Sequence, residues 1–386
     1  MYPNLYYLVD DFFGIKLNGL RLVNSFGFFV ALAFVASGFV LYHELKRKEA
    51  LGEFTPTEDS IIVGAPASLN ELLTSFFFGF LFGYKIIGAF TIDNALNNTQ
   101  AFILSMQGNM GAGILVGSIM VYLKWKEKDK EKLAKPETRK LMLWPHDRVG
   151  DVVLQAALWG FLGAKIFHNL ENIDELVHDP WGSLISFSGL TFYGGLILAT
   201  IAIIIFIRKH NMRVIHFADA MAPTMLFAYA AGRIGCHISG DGDWGIANMN
   251  PKPFTWLPDW IWAYHYPHNV VNAGVPIPGC VGNYCNQLPE AVYPTTFYEI
   301  IIMFILFLIV WVIRKKISQP GIITGIYFIF AGGERFFIEK IRVNNKYTSL
   351  PFQPTQAELI STILIILGIV FLIKSKSWFP KNIQKT

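Results

Sequence analysis

Long apolar runs alternate with short polar segments along almost the whole chain. Nine runs stand out, at residues 26–42, 72–90, 101–123, 152–170, 184–207, 217–235, 297–313, 322–338 and 359–373. Each is close to the ~20 residues that a helix needs to cross a bilayer, and a helix satisfies its backbone polar groups internally. The pattern predicts an all-α polytopic membrane protein with about nine transmembrane helices.

The placement of basic residues predicts which way these helices cross. Lysines and arginines follow the first, third, fifth, seventh and ninth runs, whereas the loops 93–100 and 171–182 contain none. Because cytoplasmic loops carry an excess of basic residues, the N-terminus should lie outside and the C-terminus in the cytoplasm. The loop 340–354 would face outward yet holds Lys340, Arg342 and Lys346, which either mark an anion site or form a simple exception.

This topology divides most of the chain into parts. They are an outward interfacial segment (1–25), a first transmembrane helix (26–48), a transmembrane hairpin (72–126), a charged cytoplasmic loop (127–150), core helices (151–239), an outward insertion (240–294), C-terminal core helices (295–374) and a cytoplasmic tail (375–386). The insertion is rich in tryptophan and tyrosine, which is typical of an amphipathic segment on the bilayer surface. Residues 79–86 resemble residues 160–166, which indicates either a duplicated hairpin or a likeness by composition alone.

Composition agrees with a membrane protein and narrows the chemistry. Of 386 residues, 53% are hydrophobic and 16% are charged, with a mean hydropathy of +0.40, which is too apolar for an ordinary soluble domain. No phosphate-binding loop, nucleic-acid motif or Cys/His metal motif is evident, so we expect no nucleic-acid partner, no metal and no cofactor. Cys280 and Cys285 lie close together in the outward insertion, where they either pair or stay free.

The most unusual stretch is AGRIGCHISGDGDWG, residues 231–245. Arg233 closes an apolar run, and a charge at the bilayer centre costs on the order of 3 kcal/mol. Either its side chain snorkels to the headgroups, or it binds an anionic headgroup with the help of the polar, glycine-rich turn that follows. Cys236 and His237 have the residue types of a nucleophile and its base, but neighbours on a helix do not face each other.

A second charged cluster lies at the end of the eighth run. Arg335, Glu339 and Arg342 are spaced i, i+4 and i+7, so they should share one helical face. They either neutralise one another or, together with Arg233, clamp a phosphate, because a guanidinium group matches two phosphate oxygens.

Other residues have both a structural and a functional interpretation. Gly194 and Gly195 suit close helix packing, and Tyr193 beside them is either an interfacial anchor or a hydrogen-bond donor to a headgroup. Glu299 is an early-turn carboxylate that the helix dipole favours, and Asp219 is interpreted as a helix cap.

These motifs, in this order, resemble those of the prolipoprotein diacylglyceryl transferase family. GRIGCHISGDGDWG resembles the family signature Gly-Arg-x-Gly-Asn with its acidic residue and Trp-Gly, and DAMAP (219–223) resembles Asp-x-x-Ala-Pro. FYGGL (192–196), YPTTFYE (293–299), RFFIEKIR (335–342) and PTQAELIS (354–361) resemble further family motifs. The family core has seven membrane helices, so the hairpin 72–126 is extra.

The resemblance implies a transfer reaction at the outer face of the bacterial cytoplasmic (inner) membrane. Phosphatidylglycerol donates a diacylglyceryl group to the lipobox cysteine behind a preprolipoprotein signal peptide, and glycerol phosphate leaves. The candidate phosphatidylglycerol-binding residues are Arg233, Arg335, Gly194, Gly195, Arg342 and Glu299. The candidate catalytic residues are Arg233, Asp241, Arg335, Glu339, Tyr193 and His237.

The chain departs from the family where the base for the incoming thiol is expected. Tyr193 replaces the family histidine and Cys236 the signature asparagine, while Phe26 and Tyr293 replace a tyrosine and a second histidine. The substitute base is His237, Asp241 or Tyr193, of which a phenol with a pKa near ~10 is the weakest. The alternatives to a divergent transferase are a non-catalytic phospholipid- or lipoprotein-binding protein and a transporter of a small anion or lipid. The parallel order of the repeat weakens the transporter hypothesis.

Overall fold

The protein is predominantly helical. The structure is a computed structural model that describes residues 1–92, 95–96, 99–185, 191–344, 346–348 and 352–380. Its α-helices are α1 Leu5–Phe13, α2 Ser25–Ala50, α3 Leu69–Phe82, α4 Gly88–Thr91, α5 Thr99–Leu104, α6 Met110–Lys130, α7 Val149–Glu171, α8 Ile173–His178, α9 Pro180–Ile185, α10 Phe192–Lys209, α11 Val214–Ser239, α12 Asp259–Trp262, α13 Thr295–Ile313, α14 Ile322–Ile338 and α15 Gln356–Trp378. Its strands are β1 Thr57–Val63, β2 Glu137–Leu143, β3 Val275–Pro276 and β4 Asn286–Gln287. Short 3₁₀ turns lie at Asn18–Leu22, Pro145–Arg148 and Glu339–Ile341, and a π-helical turn lies at Gly83–Ile87.

Within the described ranges, seven helical segments are long and apolar enough to cross a membrane. They are Ser25–Ala50, Leu69–Thr91, Pro145–Glu171, Phe192–Lys209, Val214–Ser239, Thr295–Ile313 and Gln356–Trp378. Two of the nine predicted spans fall short, because α6 is charged through its last turns and α14 has only 17 residues. The polytopic helical architecture is confirmed, apart from two small β-ladders, whereas the number nine stays a prediction.

Two of the predicted apolar runs are interrupted. The third is divided, because α5 ends at Leu104 and α6 begins at Met110. Asn109 caps α6, since its side chain accepts a hydrogen bond from the Ala112 amide (3.0 Å). The fifth was expected from residue 184, but α10 begins only at residue 192. Serine, glycine and asparagine break a helix without adding charge, so hydropathy alone does not register these breaks. Residues 186–190 of the fifth run, parts of the loops 93–100 and 340–354, and the tail from 381 lie outside the described residues.

α11 forms the centre of the helical bundle. It packs against α2, α13 and α14, while α7 pairs with α10 and α14 with α15. Half of the membrane-length window of α11 is buried, compared with 17–28% in the other six spans. Two apolar clusters surround it, one with Leu45 and Phe217 and the other with Leu226 and Phe307. A charged residue on α11 is therefore enclosed by other helices.

Asp219 connects α11 to the start of α14. Its buried carboxylate accepts hydrogen bonds from the amides of Gly321 (2.8 Å) and Thr324 (2.9 Å) and from the Thr324 hydroxyl (2.7 Å). These amides belong to the first turn of α14, where no partner within the helix is available. Asp219 does cap a helix, but that helix is α14 and not the one that contains Asp219, and the contact fixes the helix that carries Arg335.

The segment between α2 and α7 begins and ends in a β-ladder that was not predicted. β1 and β2 pair antiparallel, with Thr57 opposite Leu143 and Val63 opposite Glu137. Both strands are largely exposed, so they lack the apolar and polar alternation by which a half-buried strand is recognised. Because the ladder brings the two ends of the segment together, the helices from α3 to α6 are inserted between α2 and α7 as one unit.

The two helices of the hairpin α3–α6 contact each other in the same way as the two helices of the hairpin α7–α10. A Cβ added to Gly83 would overlap the carbonyl oxygen of Ala112, and one added to Gly163 would overlap that of Gly194. The Asn109 amide donates to the Tyr84 carbonyl (2.9 Å), as the Thr191 amide does to the Ala164 carbonyl (3.1 Å). These equivalent contacts support a duplication rather than a likeness by composition.

The π-helical turn explains the one mismatch between the two copies. Lys85 follows Gly79 by six residues, whereas Lys165 follows Gly160 by five. A π-helical turn accommodates one extra residue inside a helix, and in the longer copy the turn Gly83–Ile87 begins after Gly79 and contains Lys85. The extra residue therefore leaves the packing face in register.

We predict that Gly163→Ala destabilises the protein by about 1–3 kcal/mol, the usual cost of overpacking. The added methyl group would have to displace the backbone of α10. Gly160→Ala is the matched control, because a Cβ there meets nothing within 4 Å and alanine favours a helix. Thermal unfolding in detergent measures both, and equal midpoints for the two variants would contradict the close-packed interface.

The predicted outward insertion has its own small core. Tyr266, Leu288 and Val292 are buried together, and Cys280 and Cys285 form a disulfide with Cα atoms 5.5 Å apart. Among residues 240–294 only Asp259–Trp262 is α-helical, so this segment is not a long helix, and its position on the bilayer surface stays a prediction. The aromatic rings instead pack against one another, as Tyr264 does on Tyr266 at 4.9 Å between centroids, which removes apolar area from water without a helix.

Candidate active site

Three arginines and their carboxylates meet at the ends of α11, α13 and α14. Arg233 is on α11 and Arg335 on α14, while Arg342 follows the 3₁₀ turn Glu339–Ile341. The single helical face expected for Arg335, Glu339 and Arg342 is only partly formed, because α14 ends at Ile338. Glu339 still lies 2.9 Å from Arg335, but Arg342 has extended backbone and reaches the cluster from the connecting loop.

Glu299 of α13 is the centre of this cluster. Its fully buried carboxylate lies 2.8 Å from Arg233 Nε, 3.3 Å from Arg342 Nη1 and 3.5 Å from Arg335 Nη1. The Tyr229 hydroxyl donates to Glu299 (3.3 Å) and accepts from Arg233 Nη2 (3.0 Å). A buried charge is tolerated when it is paired and hydrogen-bonded, so Glu299 sets the spacing of the three guanidinium groups.

Asp243 links Arg233 and Arg342 on the side away from Glu299. One carboxylate oxygen contacts Arg233 Nη1 and the other lies 2.5 Å from Arg342 Nη2. Burial opposes ionisation of Asp243, but the positive charges of Arg233 and Arg342 outweigh it and hold its pKa below the ordinary value.

Backbone pairing around Gly245 holds Asp243 in this position. The amide of Gly245 donates to the Tyr293 carbonyl and that of Ile246 to the Ile341 carbonyl, both at 2.9 Å. A Cβ at Gly245 would come within 2.5 Å of the Ile341 oxygen, so only glycine allows this approach. The signature turn is thereby connected to the residue that precedes Arg342.

The arginines remain partly accessible despite this pairing. The side chains of Arg335, Arg233 and Arg342 are 23%, 15% and 9% exposed, and that of Asp243 is 35% exposed. Glu339 is buried and also accepts from Asn344 Nδ2 (2.6 Å), which leaves it fixed beside Arg335. An incoming anion would therefore meet Arg335, Arg233 and the displaceable Asp243 first.

The motif FYGGL lies beside the cluster. Tyr193 is close enough to Arg335 for its phenol to interact with the guanidinium. A Cβ added to Gly194 would overlap the side chain of Phe167. A Cβ added to Gly195 would come within 2.7 Å of the Gly160 carbonyl oxygen. The structure thus places both glycines at the α7–α10 contact, where they set the position of Tyr193.

Asp241 lies near Cys236 rather than on an arginine. Burial, reinforced by the negative charge of Asp243, raises the pKa of the Asp241 carboxyl. The ligand atoms of Cys236, Asp241 and Asp243 lie within 4.8 Å of one another. Both oxygens of Asp243 contact arginines, however, and these positive charges disfavour a cation at this position.

His237 points away from the arginines. Its Nδ1 is 3.0 Å from the Thr296 hydroxyl, and its ring packs among Trp260, Tyr266 and Phe297. It does not meet Cys236, which lies 3.7 Å from Arg233 instead. Successive residues on a helix project about 100° apart, and this separation explains why the two do not form a pair.

Sequence reasoning missed three members of the site. Asp243 and Asp241 are both candidates for the acidic position of the signature, and spacing alone does not distinguish them. Tyr229 lies one turn before Arg233 on α11, where an i, i+4 pattern signals contact. Glu334 was assigned to no role, although a carboxyl group inside an apolar helix is itself a signal.

Comparison with known proteins decides the family. The model of the family described as prolipoprotein diacylglyceryl transferase matches residues 100–374, which include every charged residue of the cluster. The chain belongs to this family. Relatives named phosphatidylglycerol–prolipoprotein diacylglyceryl transferase include one from Leptospira interrogans, 27% identical over 279 residues, covering 60% of this chain and 80% of the relative.

Two further relatives carry the same name. The protein from Aeromonas hydrophila is 28% identical over 232 residues, which cover 58% of this chain and 73% of the relative. The protein from Staphylococcus haemolyticus is 28% identical over 242 residues, which cover 62% of this chain and 77% of the relative. The family match begins at residue 100, so it leaves out β1 and α3, which belong to the inserted segment.

Proposed function

We propose that this protein transfers the diacylglyceryl group of phosphatidylglycerol to the lipobox cysteine of preprolipoproteins. The observation that carries the proposal is the set of three arginines held around buried Glu299 at the end of membrane helices. Such a group suits a phosphodiester, because guanidinium groups bind phosphate oxygens in pairs and are weakly hydrated. Family membership supports the same substrate class.

The reaction exchanges one bond for another at the glyceryl carbon that bears the phosphate. The thiol loses its proton, its sulfur attacks this carbon, and the carbon–oxygen bond to phosphate breaks. A thioether forms, and glycerol phosphate leaves with the electron pair. Negative charge therefore grows on the leaving phosphate, where positioned cationic donors stabilise the transition state most.

The residues take distinct roles in this scheme. Arg233 and Arg335 bind the phosphate, Glu339 orients Arg335, and the partly exposed Asp243 gives up its contacts as the phosphate enters. Glu299 stays in place, because it is fully buried and keeps the guanidinium groups apart from one another. Arg342 neutralises charge that accumulates on the leaving group.

The site lies on the outer side of a bacterial inner membrane in the proposed topology. The N-terminus and the insertion 240–294 face outward, and the basic clusters after α2, α6, α10, α13 and α15 face the cytoplasm. This orientation supports access for the lipobox of a preprolipoprotein whose signal peptide is in the membrane. Short α14 and charged α6 complete nine crossings, of which seven form the family core and two the inserted hairpin.

Depletion and complementation test the proposal. Cells that lack the protein receive the wild type or an Arg233→Ala variant, and mass spectrometry measures diacylglyceryl addition to a lipobox substrate. Wild type should restore the modification and the variant should not. Full modification in the absence of the protein would contradict the transferase function.

One observation favours a second candidate, a non-catalytic lipid- or lipoprotein-binding protein. Tyr193 occupies the position of the family histidine, and His237 is turned away from the arginines. In that case depletion leaves lipoproteins modified, while the purified protein still binds phosphatidylglycerol.

A further inference from the structure

One buried carboxyl group near the arginines takes no part in their ion pairs. Glu334 of α14 is 7% exposed, and in the part of the chain that the structure describes its Oε1 has no hydrogen-bond partner. Each arginine of the cluster contacts Glu299, and the remaining pairs involve Asp243 and Glu339. An ionisable group inside a membrane helix is costly, and its persistence without a structural partner indicates function.

Glu334 lines a cavity of about 500 Å³ between α13 and α14. Its other lining residues are nearly all apolar: Tyr298, Ile302, Leu306, Ile329, Phe330, Gly333, Phe337, Ile338 and Ile341. Ile302 and Phe337 are exposed on the outer surface of the helices, so the cavity opens sideways. Glu334 itself interacts electrostatically with Glu299, Arg233 and Arg342, so the cavity that it lines reaches the arginine cluster.

This position lies between two environments that the proposed substrate needs. The apolar cavity suits acyl chains, and the arginines suit the phosphate. The glyceryl carbon under attack lies between the chains and the phosphate of the same lipid. A carboxyl group at the boundary is therefore beside the reacting atoms.

We propose that Glu334 is the general base that removes the proton from the lipobox thiol. The proposal rests on the transferase function. The thiol proton passes to a Glu334 oxygen, the thiolate sulfur bonds to the glyceryl carbon, and glycerol phosphate leaves with the electrons of the broken carbon–oxygen bond. The proton then leaves Glu334 for the product phosphate or for water, which regenerates the carboxylate.

The other candidate bases are less well placed. His237 is held by Thr296 and enclosed by aromatic rings. Asp241 lies behind Asp243, next to Cys236. Tyr193 is a phenol with an ordinary pKa near ~10, above the ~8.5 of a thiol, so its neutral form is a weak proton acceptor.

The electrostatic surroundings of Glu334 suit a base that changes charge. The groups of neighbouring elements that influence it are Glu299 of α13, Tyr229 and Arg233 of α11, Arg335 of α14 itself, and Arg342 of the following loop. The arginines support the carboxylate that accepts a proton. Burial and the negative charge of Glu299 oppose the arginines and support the protonated form that follows.

The test is the pH dependence of transfer by Glu334→Gln. At pH 7 we expect a loss of about 30-fold, because a thiol with a pKa of ~8.5 is only about 3% ionised there. Between pH 6 and pH 8 the variant should gain close to tenfold per pH unit, because only thiol that has ionised in solution can react. Its rate should approach that of the wild type above the thiol pKa of ~8.5. A variant with the wild-type rate and pH profile would overturn the assignment.

Controls separate this role from folding and from the proposed function. Glu358→Gln changes another carboxyl group, whose ion pair within the described residues is with Lys340. Glutamine can keep the capping box, so the pH profile of this variant should match the wild type. Phosphatidylglycerol binding by Glu334→Gln, measured with lipid vesicles, should be unchanged. If Glu334→Gln does not fold, Glu334→Asp takes its place in the test. Glu334→Asp should transfer more slowly than the wild type and, like the wild type, should lose rate at low pH as the carboxylate is protonated. A full rate that does not fall at low pH would contradict the role. Failure of the wild type to form product overturns the transferase function itself.

Discussion

Replacing Arg233 with alanine is expected to lower the rate of diacylglyceryl transfer by about 10²–10³-fold, the usual effect of removing one positioned donor from a transition state. Arg233 is the only arginine of the three that contacts Glu299 through Nε at 2.8 Å and also contacts Asp243 and Tyr229 within the described structure. Its guanidinium is therefore the best oriented of the donors. The loss should fall mainly on kcat, because charge on the phosphate grows in the transition state.

Arg208→Ala is the matched control for this variant. Arg208 is an exposed arginine in the last turn of α10, at the opposite end of that helix from Tyr193, which lies beside the cluster. Liposome assays with a lipobox peptide compare the two variants. Loss of transfer in Arg208→Ala, or retention of it in Arg233→Ala, would show that the arginine cluster is not the phosphate site.

Replacing Glu299 with glutamine is expected to lower the free energy of unfolding by about 3–5 kcal/mol, the range seen when one partner of a buried ion pair is removed. Three guanidinium groups lie within 3.5 Å of this carboxylate. Without it they repel one another in a region of low dielectric. Thermal unfolding in detergent measures the change.

Phosphatidylglycerol should restore part of the stability that Glu299→Gln loses. Its phosphate supplies the negative charge that the arginines then lack, so added lipid should raise the unfolding midpoint of the variant more than that of the wild type. Glu127→Gln is the control, because Glu127 is exposed and, among the described residues, forms its ion pair with Lys124 at 3.1 Å. Equal midpoints for Glu299→Gln and Glu127→Gln would contradict the role of Glu299 as the centre of the cluster.

The helical architecture was predictable because each span is long relative to its interruptions. Apolar length and basic clusters are local properties, and local properties can be read from a sequence. The predicted pairing of Arg335 with Glu339 depends on helical spacing and is confirmed at 2.9 Å. The likeness of the two hairpins was also local, and glycine contacts now support it.

The parts that were not predictable depend on long-range contacts. The ladder β1–β2 joins residues about 80 apart with no buried face to mark either strand. Choosing Asp243 over Asp241 required the backbone pairing of Gly245 with Tyr293. The orientation of His237 depends on Thr296, which lies on another helix. None of these partners can be identified from one sequence by spacing alone.

The inserted segment also shows why the length of an apolar run is an incomplete guide. α6 is long enough to span, yet its last turns are charged, and the apolar run before it is broken at Asn109. α14 has 17 residues and begins at the buried Asp219 cap. The positions of caps, rather than hydropathy, set where these helices start.

The most direct test of the central claim is product formation by the purified protein. The protein is placed in liposomes that contain phosphatidylglycerol with a synthetic lipobox peptide, and mass spectrometry follows the peptide while released glycerol phosphate is quantified. We predict many turnovers, one glycerol phosphate for each thioether-linked diacylglyceryl peptide, and a rate about 10²–10³-fold lower from Arg233→Ala. Binding of phosphatidylglycerol without any modified peptide would contradict the transferase account and favour a lipid-binding protein.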